Sequence, residues 1–448
     1  MYYIATKTVV PMTLGEFKVA LKRHKIAVAI VGLGYVGMPT ALALAKQSTK
    51  VIGIDINKNR VRQINSGKSF IAEISDNELR VALKKFSATT NFAEIKNARV
   101  IIIAVPTPLT ANKTPDISYI ENAAKQVAKY FKKGTLIILE STTYPGTTEE
   151  VLKPILEKNG LIAGKDFYLA YAPERIDPGN KNIHFTDIPK VVGGIDQKST
   201  DLAAAFYISF MKHVYKVSSP RAAEMTKLLE NIFRLVNISL ANELKLIAAK
   251  MGIDYWEVVD AAKTKPYGFM PFYPGPGVGG HCIPLDPFYL SWKAREYNYF
   301  TRFIDLAGEI NELMPHQVVT SVIFALNKFK KSVRGAKILV LGAAYKKDVD
   351  DPRESAAIPL IWDLLRKGAE VSYHDPYVPE LKIYGHRHTK HAPQTLTSVA
   401  LTKDMVKKAD CVVIITDHSN VDYTMVLKEA KVIVDTRNAI KEKSPKVI

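Results

Sequence analysis

The sequence predicts an α/β protein: two doubly wound parallel-sheet domains joined by a central helical domain built on a long helix. Three observations carry that expectation. Short apolar runs alternate with helical stretches in the first half, the pattern returns from residue 337, and a helical stretch free of internal proline lies between them. In the first half KIAVAIV (25–31), VIGIDI (51–56), RVIIIAV (99–105), TLIILE (135–140) and DFYLAYAP (166–173) read as strands. Apolar strands alternating with helices argue a parallel sheet covered on both faces. From Arg221 to about Met251, Ala223, Leu228, Ile232, Leu235, Ile238 and Leu240 recur at three- and four-residue spacings, a helical pattern. More helix is expected around 301–329. KILVLGAAY (337–345), a helix from about 355, AEVSYHDP (369–376), ADCVVIIT (409–416) and KVIVDT (431–436) then form a second α/β unit. The expected boundaries are an extension at 1–24, a first domain at 25–217, the central helical domain at 218–328 and a last domain at 329–448.

Composition narrows the function. A chain of 448 residues exceeds one ordinary core, and 47% hydrophobic with 24% charged residues describes a globular protein. No apolar run approaches the roughly 20 residues that span a bilayer, so no membrane insertion is expected. Lys7, Glu16, Lys18 and Lys22 interrupt the N-terminus, which argues against a secretory signal. Two cysteines far apart, Cys282 and Cys411, argue against a disulfide scaffold and for the cytoplasm. The net charge of +18 admits a nucleic-acid partner or an anionic small molecule. The cations are spread along the chain and no nucleic-acid motif occurs, which favours the small molecule.

Gly32-Leu33-Gly34-Tyr35-Val36-Gly37 follows the first strand and opens a helix, and Asp55 ends the next strand 18 residues after Gly37. This is the Rossmann dinucleotide pattern. Gly32 permits the tight turn, Gly34 the approach of a pyrophosphate, and Gly37 close helix–strand packing. The pyrophosphate would sit at the helix N-terminus, where unpaired N–H groups favour anions. Asp55 would accept the adenosine ribose hydroxyls and repel a 2′-phosphate, which favours NAD; Arg60 nearby works against that inference. The expected cofactor set is Gly32, Gly34, Tyr35, Val36, Gly37, Asp55, Arg60 and Thr107.

Residues 275–287 read GPGVGGHCIPLDP, a glycine- and proline-rich loop presenting one cysteine. Alone, Cys282 reads more readily as a buried structural thiol. Beside NAD it reads differently, because a thiolate can trap an aldehyde as a thiohemiacetal and carry it to a thioester. His281 is adjacent but is not assigned as the base. Such chemistry also needs a donor for oxyanions and a group that orients water.

The GLGYVG loop, AAEMTKLLENIFRLVNISLANE (222–243), GGHCIPLDP and AAYKKDVDDPRES (343–355) occur in an order that resembles the UDP-glucose/GDP-mannose dehydrogenase family. The resemblance implies two Rossmann-like domains and Cys282 as nucleophile. It implies that Lys227 and Asn231 hold the oxyanion and sugar oxygens. It assigns Asp286 to proton transfer and positioning of water, Thr142 to water and cofactor, and Glu174 to acid–base work on the substrate side. Without it, Lys227, Asn231 and Glu174 read as surface or capping residues. Lys346 and Arg437 would meet the diphosphate and Arg353 the cofactor. The implied substrate set is Glu174, Arg175, Lys227, Asn231, Tyr273, Gly279, Lys346 and Arg437, with no metal and at least a dimer.

The sugar is expected to be a UDP-N-acetylhexosamine. Pro178 stands where UDP-glucose enzymes carry a second glutamate, and no arginine lies between Lys265 and Cys282, where those enzymes carry one. Losing that cation leaves room for a 2-acetamido group. ESTTYPGTTEE (140–150) and ERIDPGN (174–180) resemble UDP-N-acetylglucosamine 6-dehydrogenases most, while GPGVGGHCIP is shared with UDP-N-acetylmannosamine dehydrogenases. UDP-GlcNAc is therefore favoured over UDP-ManNAc. A two-electron dehydrogenase and a non-catalytic nucleotide-binding protein are the rival readings.

Overall fold

The computed structural model describes residues 13–71, 73–110, 112–177, 179, 183–384 and 394–448; Pro178 and the first part of the expected extension lie outside them. The chain divides into two compact units, residues 1–230 and 231–448.

The first unit holds an eight-stranded sheet of β1 (Val28–Val31), β2 (Val51–Ile54), β3 (Phe86–Thr89), β4 (Val100–Ile103), β5 (Leu136–Leu139), β6 (Tyr168–Tyr171), β7 (Lys190–Gly194) and β8 (Val214–Lys216). Their order is β3-β2-β1-β4-β5-β6-β7-β8. The apolar runs alternate after all, but between two buried faces. Val28, Ile30, Val100, Ile102, Leu136 and Ile138 belong to one core, and Ala29, Val31, Ile101, Ile103, Ile137 and Leu139 to the other. The sheet departs from a purely parallel one: β7 runs antiparallel to β6, pairing Ala170 with Gly194 and Tyr171 with Gly193.

The described part of the N-terminal extension is a helix, Leu14–Lys22, opened by a capping box of Thr13 and Glu16. Phe17 and Ala20 on it are buried in the first of those cores, so this segment belongs to the domain.

The second unit holds a parallel sheet, β10-β9-β13-β14, formed by β9 (Lys337–Leu341), β10 (Glu370–His374), β13 (Cys411–Ile414) and β14 (Ile433–Asp435). An antiparallel pair, β11 (Glu380–Ile383) and β12 (Gln394–Thr397), lies beside it in sequence. Here too the strands divide their side chains: Ile338 and Val340 enter one core, Leu339 and Leu341 the other. Helix Arg302–Asn327 contributes Val318, Val319, Val322, Ala325 and Leu326 to the first of these.

The helix Pro220–Met251 begins in the first unit and ends in the second. Its buried face carries polar groups: Glu224, Lys227, Asn231, Ser239 and Asn242 are buried beside Ala223, Leu228 and Leu235. Met225, Leu229, Phe233, Leu240, Leu244, Ile247 and Met251 are exposed. The helical periodicity was legible, but Leu240 faces outward rather than inward, and the buried stripe is the more polar one.

Candidate active site

The first unit's residues of interest gather where parallel strands end. Gly32 follows β1, Asp55 follows β2, Thr107 lies beyond β4, Thr142 beyond β5 and Glu174 beyond β6. That edge is where open α/β sheets take ligands. The three loop glycines separate cleanly. A Cβ on Gly32, whose φ is +97°, would lie 2.3 Å from the Ala104 carbonyl oxygen, and one on Gly37 would lie 2.0 Å from that of Gly32. Both glycines are demanded by the protein's own packing. A Cβ on Gly34 would meet nothing within 4 Å. Open space beside a helix N-terminus fits a dinucleotide's pyrophosphate, and helix Gly37–Lys46 opens there.

Asp55 is tied into the same turn. Its carboxylate accepts from the Leu33 amide at 3.0 Å, the Asn57 amide at 2.8 Å and Arg60 Nη1 at 2.9 Å. Arg60 also lies over the Phe70 ring, 5.1 Å from its centroid. The arginine that opposed the NAD inference is thus engaged by the acid itself. Tyr35 is exposed, Val36 half-buried and Thr107 buried.

Glu174 is 7% exposed and not a surface residue. One carboxylate oxygen accepts from the amides of Arg175 and Ile176 at 2.7 and 2.8 Å, and the other from Lys190 Nζ at 2.9 Å. Lys190 also pairs with Glu140 at 3.0 Å, and the Tyr207 hydroxyl donates to Glu140 at 2.6 Å. Burial pushes the Glu140 carboxyl up; it works to lower Lys190 as well, but Glu140 and Glu174 outweigh it and hold that ammonium above its usual range. Arg175 is engaged by Glu230, at 2.6 Å, and by the Pro189 carbonyl, at 2.8 Å.

On the long helix Glu224 accepts from the Gly146 amide (2.6 Å), the Thr148 amide (2.9 Å) and the Thr148 hydroxyl (2.7 Å). It thereby anchors the turn after half-buried Thr142. Burial raises its carboxyl to about 7. Lys227, one turn further on, is 7% exposed and has no hydrogen-bond or ion-pair partner among the described residues. A buried cation without a counter-charge is costly unless a ligand supplies one.

In the second unit the loop before Cys282 is pinned at several points. The Gly275 amide donates to Asn242 Oδ1 at 2.8 Å, the Val278 amide to Asn311 Oδ1 at 2.7 Å, and the Gly280 amide to the Arg353 carbonyl at 3.0 Å. A Cβ on Gly279 would lie 2.5 Å from the Glu354 carbonyl oxygen. The loop that precedes the cysteine is therefore seated on the 345–354 segment. Cys282 is exposed, whereas Cys411 is buried in β13. Asp286 opens helix Asp286–Ala294; its amide donates to the Cys282 carbonyl at 2.9 Å, and its side chain accepts from Asn231 Nδ2 at 2.6 Å. Asn231 and Asp286 are both buried, so these two predicted residues are brought together, four positions from the thiol. Burial, and then Arg353, lower the His281 imidazole. That favours its neutral form.

Arg437 donates through Nε to the Ile415 carbonyl at 2.8 Å, and its guanidinium lies where a Cβ on Gly275 would be, 2.7 Å away. Tyr273 stacks on Trp256, centroids 5.8 Å apart. Lys346 is half-buried, and exposed Arg353 grips Asp351 at 2.6 to 3.0 Å. Among the described residues no group of three His, Cys, Asp or Glu side chains could hold a metal, and no helix is long and apolar enough to cross a membrane.

Models of one family match the chain in three consecutive stretches: its NAD-binding domain at 26–214, its central domain at 221–313 and its UDP-binding domain at 339–442. The chain belongs to the UDP-glucose/GDP-mannose dehydrogenase family. As a member it is an NAD-dependent dehydrogenase, and the open cradle at Gly34 fits that dinucleotide. A UDP-N-acetyl-D-mannosamine dehydrogenase of Pyrococcus horikoshii is 38% identical over 93% of this chain and 96% of its own length. A UDP-N-acetyl-D-glucosamine 6-dehydrogenase of Pseudomonas aeruginosa is 39% identical over 79% of this chain and 83% of its own. The solved structure of UDP-D-ManNAc dehydrogenase from Pyrococcus horikoshii superposes with a TM-score of 0.85 at 37% identity, covering 94% of this chain and 98% of that one.

Sequence reasoning missed several residues around these family positions. Glu140 and Lys190 behind Glu174, Glu224 behind the Thr142 turn, and Asn242 and Asn311 behind the cysteine loop are each separated from their partners by tens of residues. Glu140 and Glu224 stand inside motifs that were recognised. Nothing in the sequence marked Lys190 or Asn311.

Proposed function

We propose that this dehydrogenase oxidises the C6 alcohol of a UDP-linked N-acetylhexosamine to the carboxylate, through a covalent adduct on Cys282. The observation that carries the reading is Lys227: a buried ammonium, without a partner among the described residues, one helical turn from Asn231, which is bonded to Asp286 in the first turn after the exposed thiol. NAD, when bound, accepts the hydride lost at each of the two oxidation levels. The first oxidation releases the C6 hydroxyl proton to solvent and leaves an aldehyde, and the Cys282 thiolate adds to its carbon. Lys227 and the second N–H of Asn231 stabilise the alkoxide so formed. The second oxidation turns that thiohemiacetal into a thioester. Water then adds to the acyl carbon, the carbon–sulfur bond breaks, and the thiolate returns. Glu174 takes a proton of that water, Thr142 helps to order it, and Asp286, bonded to Asn231, positions it and assists the proton transfer. Lys346 and Arg437 supply cations for the diphosphate, Arg175, Tyr273 and Gly279 complete the sugar-nucleotide side, and Arg353 reaches the cofactor.

The test is NADH formed per sugar nucleotide consumed, with UDP-GlcNAc, UDP-ManNAc and UDP-glucose in parallel. Two per N-acetylated sugar, lost in Cys282→Ala, is the expected result; one per sugar, or full activity without the thiol, overturns the mechanism. The motif likeness at 140–150 favours UDP-GlcNAc. The greater span shared with the UDP-ManNAc relative favours its epimer, and the same assay decides between them.

The chain also pairs with a second copy in this reading. Met225, Leu229, Phe233, Leu240, Leu244, Ile247 and Met251 form an exposed apolar row about 39 Å long. Leu229→Lys with Phe233→Lys is expected to yield monomers by sedimentation, and an unchanged mass would remove this surface from consideration. The product, a nucleotide-linked uronate, suits the making of surface polysaccharide in the cytoplasm.

A further inference from the structure

We propose that Lys190 and Glu140 are positioning residues that act on Glu174 with opposite sign, the lysine holding it as an anion and the second glutamate strengthening it as a base. The inference rests on the thioester reading above. Glu174 accepts three hydrogen bonds, two from the amides of Arg175 and Ile176 and one from Lys190 Nζ. These three donors, one of them an ammonium, fix the orientation of the Glu174 carboxyl group and place a positive charge against it. Its direction is fixed by β7, whose first residue is Lys190, and by the end of β5, which presents Glu140.

Lys190 is 2% exposed and touches both carboxylates, at 2.9 and 3.0 Å. One ammonium between two buried carboxylates leaves a surplus negative charge when both are ionised. Glu140 is also short of donors: Tyr207 and Lys190 meet Oε1, and Oε2 has no hydrogen-bond partner among the described residues. That uncompensated charge favours proton uptake anywhere in the cluster. Tyr207 comes from helix Gln197–Tyr207, and among the described residues Arg175, whose amide donates to Glu174, has its guanidinium paired with Glu230. The cluster therefore reduces to one cation and one anion tuning a third group.

The proton balance is simple. As water's oxygen bonds to the acyl carbon and the carbon–sulfur bond breaks, one water proton moves to Glu174, where it offsets the negative charge of the cluster, and the other leaves with the carboxylic acid, which ionises to solvent. The proton on Glu174 later returns to solvent. No oxidant or further reactant is needed for this step.

The experiment compares kcat against pH for wild type, Lys190→Met, Lys190→Arg and Glu140→Gln, with intact mass after acid quench to read acyl adduct on Cys282. Removing the cation is expected to move the acidic limb up by about one pH unit, and removing the anion to move it down by about the same. Lys190→Arg should restore the wild-type position, and adduct should accumulate in Glu140→Gln. A structural lesion lowers kcat without displacing the limb in opposite directions. Shifts of the same sign, or none in variants that still bind NAD, overturn the proposal. If wild type itself gives one NADH per sugar, the thioester reading has failed, and this inference with it.

Discussion

The two sheets use the same turn for different ends. In both, an acid at the end of one strand accepts from backbone amides just after a neighbouring strand: Asp55 from Leu33, and Asp375 from Ala343 and Ala344, at 2.6 and 2.9 Å. In the first unit that acid is otherwise met by Arg60 and one further amide. In the second it also accepts from Tyr377, Val378 and the fully buried His418, whose Nε2 lies 2.9 Å away. Burial alone would push Asp375 up, but His418 and the amides hold it below the usual carboxylate range. An acid so saturated has little left for a ligand's hydroxyl. The lesson is that topology supplies the turn, while the remaining partners decide whether it recognises a ligand or only closes the fold.

The two acids differ most in what their separate removal is expected to cost. Asp375→Ala leaves His418 and several amides buried without an acceptor, and a loss of about 4 kcal/mol in chemical denaturation is expected. Asp55→Ala should cost about 1 kcal/mol of stability yet raise the KM for NAD roughly tenfold. Equal stability losses would show that the two turns are equivalent.

A second contrast is between Asp375 and Glu224, the buried acid that anchors the Thr142 turn. Glu224, raised from 4.5 to about 7, favours the folded state most below its unfolded value, and this contribution is lost as pH rises towards 7. Asp375, held low, contributes above its unfolded value and loses that contribution as pH falls. Glu224→Gln is therefore expected to flatten stability between pH 4.5 and 7, where wild type changes by on the order of 3 kcal/mol. An unaltered slope in the variant would assign that pH dependence elsewhere.

The smallest expected effects separate packing from recognition within the glycine loop. Gly37→Ala drives a methyl into a backbone carbonyl and should cost about 2 kcal/mol. Gly34→Ala has open space and should leave the melting temperature unchanged while weakening NAD binding, read by titration. If Gly34→Ala binds NAD normally, the cradle has been misplaced.

Much of this was legible because apolar runs and glycine loops are local. KIAVAIV, the GLGYVG turn and GGHCIPLDP each announce themselves within a dozen residues. β7 and β8 did not: KVVGG and VYK are short, and glycine and lysine dilute the strand pattern. Nor could the reversal of β7 be read, because pairing direction depends on connections rather than on composition. The burial of Lys227, Asn231 and Glu174 ran against their residue types, since charged and amide side chains ordinarily favour water. Family motifs named those three residues, but the partners that hold Glu174 and Asn231 lie elsewhere in the chain.

The contrast between the two cysteines makes the protein a single-address target for thiol chemistry. Burial pushes the Cys411 thiol up to about 12 and seals it within β13, so at neutral pH it is neither ionised nor within reach of a reagent. Cys282 stands exposed at the end of its pinned loop. A maleimide dye or electrophilic probe added to the folded chain therefore reports one residue, and the residue it reports is the proposed nucleophile.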